Sequence, residues 1–442
     1  MATAAASGAD NTICVEQSVL EEFFNLISCF MYDKAKDKVE RERDSHKANF
    51  GSSWGVMLNS LSHFSLAEKM YTSLVYLGLK WFGRKENLRS SFQILLSELR
   101  KIEDQHSRLN LTDPIPPIEK LLSHLCGQLG HFVTARLKMI DFYEQMETMS
   151  GMKQIVFEDG LAVITEIIQS TQKNFHHPIL APLKAAFGLE CDIISQLLQA
   201  QIQMSLWQFL PSLFHLQEAH VKLNAWGYVD PNKENRKLSF GSKIPAAPAL
   251  YQWMMKLKSV LVAKFSLYFF EILSKQAPIT EVKSVMSKSS IDFHSKLTTF
   301  QKKTDAFNVS LVFDVHGIED LYHGSGYAHP SKYCDPPKGL ELFPTIFSCP
   351  GDRPSDHWPN VVMMINDKLT DRTQFDKIVY FFDKKMLKTY YMTRIETRIT
   401  LVVIFETKKT EKDSYIQNSL NEIASTLRLT RIFAALKPGT KM

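Results

Sequence analysis

Histidines and cysteines are concentrated between Asp314 and Trp358. The segment contains, in order, His316, His323, His329, Cys334, Cys349 and His357. Imidazole nitrogens and thiolates are the ligands that zinc prefers, so a metal-binding protein built on the loop 316–357 is one hypothesis. Structural zinc sites usually present a tight pair such as CxxC or HxxxH, and these residues form no such pair. We therefore expect no metal or other cofactor, and we interpret the loop as a contact surface whose glycines and prolines set its turns.

The same loop permits a second chemistry, a hydrolase that pairs Cys334 or Cys349 with His357. A cysteine nucleophile needs a base and an orienting third group, and the local sequence shows neither a glycine-framed nucleophile nor an evident third member. The pair His215 and His220 in HLQEAH is also unsuited to one metal ion, because five residues turn a helix by about 140°. No phosphate-binding loop of the GxxxxGK[ST] type is present. The sequence predicts that the protein is not an enzyme.

Positive charge is concentrated in the last part of the chain. From Arg372 to Met442 there are fourteen Lys or Arg and seven Asp or Glu. Three of these lysines, Lys384, Lys385 and Lys388, lie at a predicted hairpin turn, and Lys408, Lys409 and Lys412 follow the next predicted strand. Such a patch suits an acidic protein, an anionic membrane surface or, with Tyr390 and Tyr391 nearby, single-stranded nucleic acid. The alternative interpretation is that these lysines are solvated residues in the turns that flank an apolar strand. We predict protein-binding residues at Lys384, Lys385 and Lys388, and in the loop at Tyr327 and Trp358.

The first half of the chain shows helical spacing of apolar residues. Helices are predicted from about Val15, over about 60–82 and 86–109, and from TDPIPP to Ser150, where Gly127 and Gly130 indicate close approach of a neighbouring helix. More helix is predicted over about 158–224, with breaks near Pro178, Pro182 and Pro211, then over about 249–275 and 279–302. Helices of this length joined by short turns predict a bundle.

From Asn308 the pattern becomes typical of strands. NVSLVFDV, NVVMMIN (Asn360–Asn366) and RITLVVIFE (Arg398–Glu406) predict strands, the last two buried on both faces. KIVYFF and LKTYYMTRI flank a DKKM turn and predict a hairpin, with a tight turn at Glu396-Thr397 before RITLVVIFE. A helix is predicted over about 413–436. An antiparallel meander with flanking helices is the layout that profilin-like, longin and roadblock modules share.

The predicted fold class is therefore a multidomain α plus α+β protein, with an N-terminal long-helix bundle followed by an antiparallel sheet module with flanking helices. The expected boundaries are a disordered N-terminus over 1–12, an all-helical domain over 13–277 with a polar exposed loop at 226–248, and an α+β domain over 278–442 that ends in a helix. Lys and Arg exceed Asp and Glu by only 52 to 47, which disfavours a dedicated nucleic-acid-binding protein. The start shows no secretory signal pattern, 193–217 is too polar for a transmembrane segment, and the cysteines are scattered, so a cytosolic or nuclear protein is expected.

Four segments carry a family resemblance: WGVMLNSLSHF (Trp54–Phe64), QEAHVKLNAWGYV (Gln217–Val229), DLYHGSGYAHP (Asp320–Pro330) and SCPGDRPSDHWPNVVMMI (Ser348–Ile365). They are similar to the KICSTOR subunit 2 family, a small animal family formerly described as a domain of unknown function, and the resemblance covers essentially the whole chain. It implies a non-enzymatic scaffold subunit that assembles with SZT2, kaptin and an integrin-alpha FG-GAP repeat protein. It also implies that the assembly holds the GATOR GTPase-activating complex at the cytosolic face of lysosomes and restrains mTOR complex 1 during amino-acid or glucose starvation. The family implies no catalytic motif and no residue-level binding map.

Overall fold

The computed structural model describes residues 3–45, 52–78, 88–108, 116–151, 155–171, 173–226, 247–289, 291–322, 324, 329, 333–369, 375 and 377–439, with backbone alone for 3–14 and 105–108. Its first part is helical. The helices, numbered α1 to α12 in chain order, are Thr3–Ser28, Tyr32–Ser45, Ser53–Thr72, Leu88–Arg108, Pro117–Gly151, Phe157–Thr171, Ala181–Ser205, Phe209–Ala225, Ala249–Tyr268, Phe270–Gln276, Ile279–Ser287 and Phe293–Thr304. The first helix begins at Thr3, ahead of the predicted start near Val15 and within the segment expected to be disordered. The predicted polar loop 226–248 lies almost entirely outside the described residues.

The long helix α5 (Pro117–Gly151) organises the bundle, as its apolar spacing predicted. It packs against α3, α4 and α6 and buries a stripe of large side chains along its length. A Cβ atom on Gly127 would lie 2.6 Å from Glu103 Oε1, and one on Gly130 would lie 3.3 Å from Leu96 Cδ1, both on α4. The two glycines therefore allow α4 to approach α5 closely, which confirms their predicted role.

Two helix breaks place residues with side chains in the left-handed region of backbone space. Phe30, at φ 61°, separates α1 from the charged helix α2. Trp207, at φ 59°, separates α7 from α8, and Pro211 lies in the first turn of α8. The ring of Trp207 packs 4.7 Å from that of Phe269 and 5.0 Å from that of Phe313, measured between centroids. This contact between the bundle and the sheet holds Trp207 in an otherwise unfavourable conformation.

The second part is a five-stranded antiparallel sheet. Its strands are β1 (Asn308–Phe313), β2 (Thr345–Cys349), β3 (Ile378–Asp383), β4 (Lys388–Glu396) and β5 (Ile399–Phe405), in the spatial order β2-β1-β5-β4-β3. The helices α13 (Trp358–Lys368), α14 (Ser414–Leu427) and α15 (Thr430–Ala434) flank it. The predicted hairpin, the turn at Glu396-Thr397 and the predicted strands at β1 and β5 are confirmed. The fold class, a helical part followed by an antiparallel module with flanking helices, is confirmed as well.

Both faces of the sheet are covered, and the central strand β5 shows how. Leu401, Val403 and Phe405 join the large core shared with the helical bundle. Val402 and Ile404 belong to a separate core beneath α13. Successive side chains of a strand point to opposite faces of the sheet. Residues 401–405 of β5 are all apolar because the bundle buries one face and α13 buries the other.

Three predictions in this part differ from the structure. Asn360–Asn366 is not a central strand but the body of α13, whose buried residues Trp358, Val361, Met364 and Ile365 follow helical spacing while Met363 is exposed. The segment 314–358 is not one long loop, because it contains β2, which pairs with β1. The C-terminal helix is also interrupted, at Leu429 with φ 66°, between α14 and α15.

The expected domain boundary at 277/278 falls between α10 and α11. One hydrophobic core nevertheless runs from α1 through the bundle to the bundle-facing side of the sheet. The helical part and the sheet module are thus packed against each other through buried apolar side chains.

Candidate interaction surface

The candidate metal ligands of the 316–357 loop are separated by the fold. His316 Nδ1 lies 2.6 Å from Asp314 Oδ1 at the end of β1, Cys349 is buried at the end of β2, and His329 is exposed. His323 lies outside the described residues. Within the ranges that the structure describes, no three His, Cys, Asp or Glu side chains are close enough to hold a metal ion.

Two of the candidate hydrolase residues, Cys349 and His357, are engaged structurally, whereas Cys334 is a partly exposed free thiol. Burial raises the pKa of the Cys349 thiol to about 11, although the Val309 backbone amide hydrogen bond opposes this shift. A thiol of this kind is protonated at neutral pH and is a poor nucleophile. His357 Nδ1 lies 2.8 Å from the hydroxyl oxygen of Tyr390, and burial lowers its pKa. These contacts favour a packing role for both side chains.

His215 and His220 of α8 contact different helices. His215 Nδ1 lies 2.6 Å from Gln196 Oε1 on α7, whereas His220 Nδ1 lies 3.2 Å from Lys258 Nζ on α9. Their divergence follows from the five-residue spacing on a helix.

The predicted lysines lie at the tip of the β3–β4 hairpin. Asp383 Oδ1 accepts hydrogen bonds from the backbone amides of Lys385 and Met386, at 2.8 and 3.2 Å, which shapes the turn. The side chains of Lys384 and Lys385 are exposed, and neither forms an ion pair with a residue in the described part of the chain. They are exposed cations at the turn of a paired hairpin.

Lys388 differs from its two neighbours. Its Nζ lies 2.6 Å from Glu406 Oε1, and the same nitrogen lies 5.7 Å from the centroid of the Phe307 ring. The side chain is half-buried and joins the starts of β4 and β1 to the end of β5. Lys388 therefore contributes to the fold of this end of the sheet, and charge reversal there would disturb structure as well as surface charge.

The two aromatic residues predicted to bind a partner are Trp358 and Tyr327. Trp358 is 1% exposed, its indole Nε1 donates a 3.1 Å hydrogen bond to the Phe343 carbonyl, and Arg353 lies over its ring. The side chain anchors α13 to the sheet. Trp358 was predicted to be a partner-binding residue on the surface, but its ring is buried and not accessible to a partner. Tyr327 lies outside the described residues and remains a prediction.

The junction between bundle and sheet contains a polar cluster that the sequence did not reveal. Lys264 of α9 is fully buried; its Nζ donates to Glu396 at the β4–β5 turn, to Gln201 Oε1 at 2.8 Å and to the Leu427 carbonyl at 2.7 Å. Glu396 also accepts hydrogen bonds from Gln201 and Ser205 of α7, both at 2.9 Å. A cavity of about 250 Å³ adjoins this cluster. The polar atoms of the cluster satisfy one another, which indicates a structural joint.

Within the described residues, the candidate metal ligands of the 316–357 loop form no common site, and Lys384 and Lys385 are the predicted contact residues that lie on the surface. The fold defines a class: a helical bundle fused to an antiparallel α+β module, with exposed cations on a hairpin.

Comparison with known proteins identifies the group within this class. The family model described as "KICSTOR complex C12orf66 like" matches residues 9–441. The protein KICSTOR subunit 2 of Xenopus laevis is 42% identical over 439 residues, covering 97% of this chain and 98% of the relative. KICSTOR subunit 2 of Danio rerio is 42% identical over 438 residues, with 96% of each chain covered. The chain belongs to the KICSTOR complex C12orf66-like family.

Proposed function

We propose that this chain is a non-enzymatic scaffold subunit of a KICSTOR complex. The observation that carries the proposal is the 42% identity with two proteins named KICSTOR subunit 2, which extends over nearly the full length of each chain. Apart from the first six residues of α1, both the helical bundle and the sheet module lie inside the matched region. A scaffold acts by raising the local concentration of its partners, which requires stable surfaces and no reactive groups.

The proposed partners are SZT2, kaptin and an integrin-alpha FG-GAP repeat protein. Through them the chain helps tether the GATOR GTPase-activating complex to lysosomes, and it thereby restrains mTOR complex 1 signalling when amino acids or glucose are scarce. We propose a cytoplasmic protein recruited to the cytosolic face of the lysosomal membrane through the complex. Among the described helices, none has the length and apolarity needed to cross a bilayer.

The fold supports a scaffold in a specific way. The shared core and the buried Lys264–Glu396 pair hold the sheet module against the bundle. Surfaces on the two parts therefore keep a defined position and orientation relative to each other. Partners bound to different parts would then be positioned relative to each other. This arrangement favours an architectural role.

Affinity purification from cytosolic and lysosomal fractions tests the proposal. Tagged full-length chain is recovered at moderate salt, and bound proteins are quantified by mass spectrometry. We expect SZT2, kaptin and GATOR subunits in near-stoichiometric amounts, with enrichment in the lysosomal fraction. Recovery of the chain without these proteins would contradict the proposed function.

A further inference from the structure

An apolar groove lies on the helical part of the molecule. It has a volume of about 380 Å³ and is lined by α8, α9, α10 and α11. Helix α8 contributes Leu213, Leu216, Gln217 and His220, which recur at i, i+3, i+4 and i+7 and so form one stripe along the helix. The groove therefore follows α8 for about two turns, or about 10 Å.

Exposed apolar side chains continue the surface on both sides of the groove. On α8, Phe214 is 65% exposed and Val221 is 51% exposed. Each directly follows a residue of the stripe in sequence and therefore lies about 100° further round the helix. On α11, Val285 lines the groove and is 61% exposed, and Ile279 is 52% exposed. Single exposed apolar residues are ordinary, but a groove bordered on two sides by them is typical of a binding surface.

Lys258 adds an electrostatic feature at the groove. Its side chain is half-buried, and its Nζ lies 3.2 Å from His220 Nδ1. Within the described part of the chain it forms no ion pair, and the exposed Glu281 on the α11 side does not reach it. Burial lowers the pKa of Lys258 because the charged form is partly desolvated.

Two other lysines of this region differ from Lys258 because each is paired with a carboxylate. Lys222 on α8 pairs with Asp192 at 2.8 Å, and the fully buried Lys264 pairs with Glu396. Lys258 has partly lost its hydration without gaining a carboxylate. An anion brought by a ligand would offset that cost.

We infer that this groove binds an amphipathic helix of a partner protein, with apolar side chains at helical spacing in the groove and a carboxylate on Lys258. The stripe on α8 and the apolar residues of α11 line a groove whose walls are helices, an arrangement that can receive an apolar helix face. The exposed borders extend beyond the groove itself, which favours a partner segment over a small molecule. The inference rests on the proposed function in that it assigns a partner surface to a binding subunit.

Photo-crosslinking within the assembled complex tests the occupant. A benzoyl-phenylalanine is placed at position 214 or 285 of the full-length chain in cells, and crosslinked peptides are identified by mass spectrometry after irradiation. Position 94 on α4 is the matched control, because Ile94 is 58% exposed on the bundle and distant in sequence from the groove elements. We expect both groove positions to crosslink to one segment of another protein that has apolar residues at i, i+3 or i+4 and an Asp or Glu beside them, and we expect the control to give no such product.

Other products would overturn the inference. A crosslink to residues of the same chain, such as 227–246, would mean that the groove is covered internally. A crosslink to a second copy would indicate self-association, and no intermolecular product from either position would mean that the groove is unoccupied in the complex. Recovery of the complex in the same preparation keeps these outcomes separate from a failure of the proposed function.

Binding measurements with the identified segment test the role of the lysine. A synthetic peptide of that segment is titrated against purified full-length chain, the Lys258→Met variant, the Val285→Asp variant and the control Ile94→Asp. We expect each groove variant to weaken binding by about tenfold or more and the control to leave it unchanged. Because methionine keeps the aliphatic volume and removes a partly desolvated charge, Lys258→Met should not lower the melting temperature of the free chain. Unchanged affinity of Lys258→Met would refute the carboxylate contact.

Discussion

At the scale of single residues, the bundle contains a buried charged cluster around Arg136. The guanidinium group donates to Glu68 Oε1 at 2.9 Å and to Glu190 Oε2 at 2.5 Å, and it lies 4.4 Å from the centroid of the Tyr71 ring. Glu190 also accepts hydrogen bonds from the hydroxyl groups of Tyr71 and Tyr143. Buried charges are tolerated when each is paired in this way, so the cluster specifies how α3, α5 and α7 meet.

Removing the buried Arg136 cation should lower the free energy of unfolding far more than removing a cation at the surface. We expect Arg136→Met to lower the free energy of unfolding by about 3–5 kcal/mol, because two buried carboxylates lose their partner. Arg89 of α4, which pairs with Asp141 and Glu144 while one-third exposed, is the control. We expect Arg89→Met to cost less than about 1 kcal/mol. Urea denaturation measures both, and equal losses would contradict the assigned role of burial.

The stability of the sheet module should depend on the protonation of His357. Burial lowers the pKa of this imidazole, and the nearby Lys388 lowers it further. Because the folded-state pKa is below the unfolded value near 6.5, the unfolded state binds more protons, and stability falls as the pH drops through about 6.5. We expect the loss of unfolding free energy between pH 7.5 and pH 5 to be smaller in His357→Gln than in the native sequence. Identical pH profiles of the two proteins would show that this histidine does not contribute.

At the scale of elements, α13 shows how an apolar run can be misassigned. NVVMMIN reads as a strand because β-branched and apolar residues are consecutive, and periodicity alone does not distinguish a short buried strand from a half-buried helix. Pro359 in the first turn favours a helix start, and only contact with the sheet selects which side chains are buried. The element that covers one face of the sheet was thus predicted as part of the sheet.

Substitution of Met363 distinguishes the two structures. In α13 this side chain is 49% exposed, so Met363→Ala should change the unfolding free energy by less than about 0.5 kcal/mol. Met363→Pro should cost about 3 kcal/mol or more, because proline removes a helical hydrogen bond and clashes with the preceding turn. A central strand buried on both faces would instead make the alanine variant costly, by about 2–5 kcal/mol. Chemical denaturation of the two variants decides between these outcomes.

At the scale of the whole molecule, the bundle and the sheet module are joined by a common core and by the Lys264–Glu396 pair. Lys264 is fully buried on α9, and Glu396 lies at the β4–β5 turn, so the pair crosses the junction. Trp207 reinforces it by packing against Phe313 of β1. These contacts predict that the helical bundle and the sheet module unfold together.

A double-mutant cycle measures this coupling. We expect Lys264→Met and Glu396→Gln each to destabilise the protein by about 3–5 kcal/mol, because each leaves a buried polar partner unpaired. The double variant should cost less than the sum by at least about 1 kcal/mol. Unfolding followed by tryptophan fluorescence and by circular dichroism should give one coincident transition. Additive effects, or two separate transitions, would contradict a coupled junction.

The hairpin lysines provide a test of assembly. We expect Lys384→Glu combined with Lys385→Glu to weaken recovery of the proposed partners several-fold, because reversed charges repel an acidic surface. The melting temperature should be unchanged, since both side chains are exposed and unpaired with described residues. Lys101→Glu with Lys120→Glu on α4 and α5 is the control with the same change in net charge. Recovery equal to that of the native chain would remove the hairpin from the interaction surface. Lys388 is left intact because of its ion pair with Glu406.

Local patterns in the sequence determined much of the fold. Several elements follow from patterns that depend only on neighbouring residues. They are the helix α5, its close approach to α4 at Gly127 and Gly130, the β3–β4 hairpin, and the strand β5 that is buried on both faces. The family could likewise be recognised from four segments. The exposed position of Lys384 and Lys385 follows from their place in a turn.

Tertiary structure alone decided the features that join distant parts of the chain. Four features depend on residues that are far apart in sequence. They are the pairing of Lys264 with Glu396, the burial of Trp358, the helical state of Asn360–Asn366 and the groove between α8 and α11. The reason is physical: burial and charge pairing are set by what packs against a residue, and a lysine or tryptophan has the same local signal on a surface as in a junction.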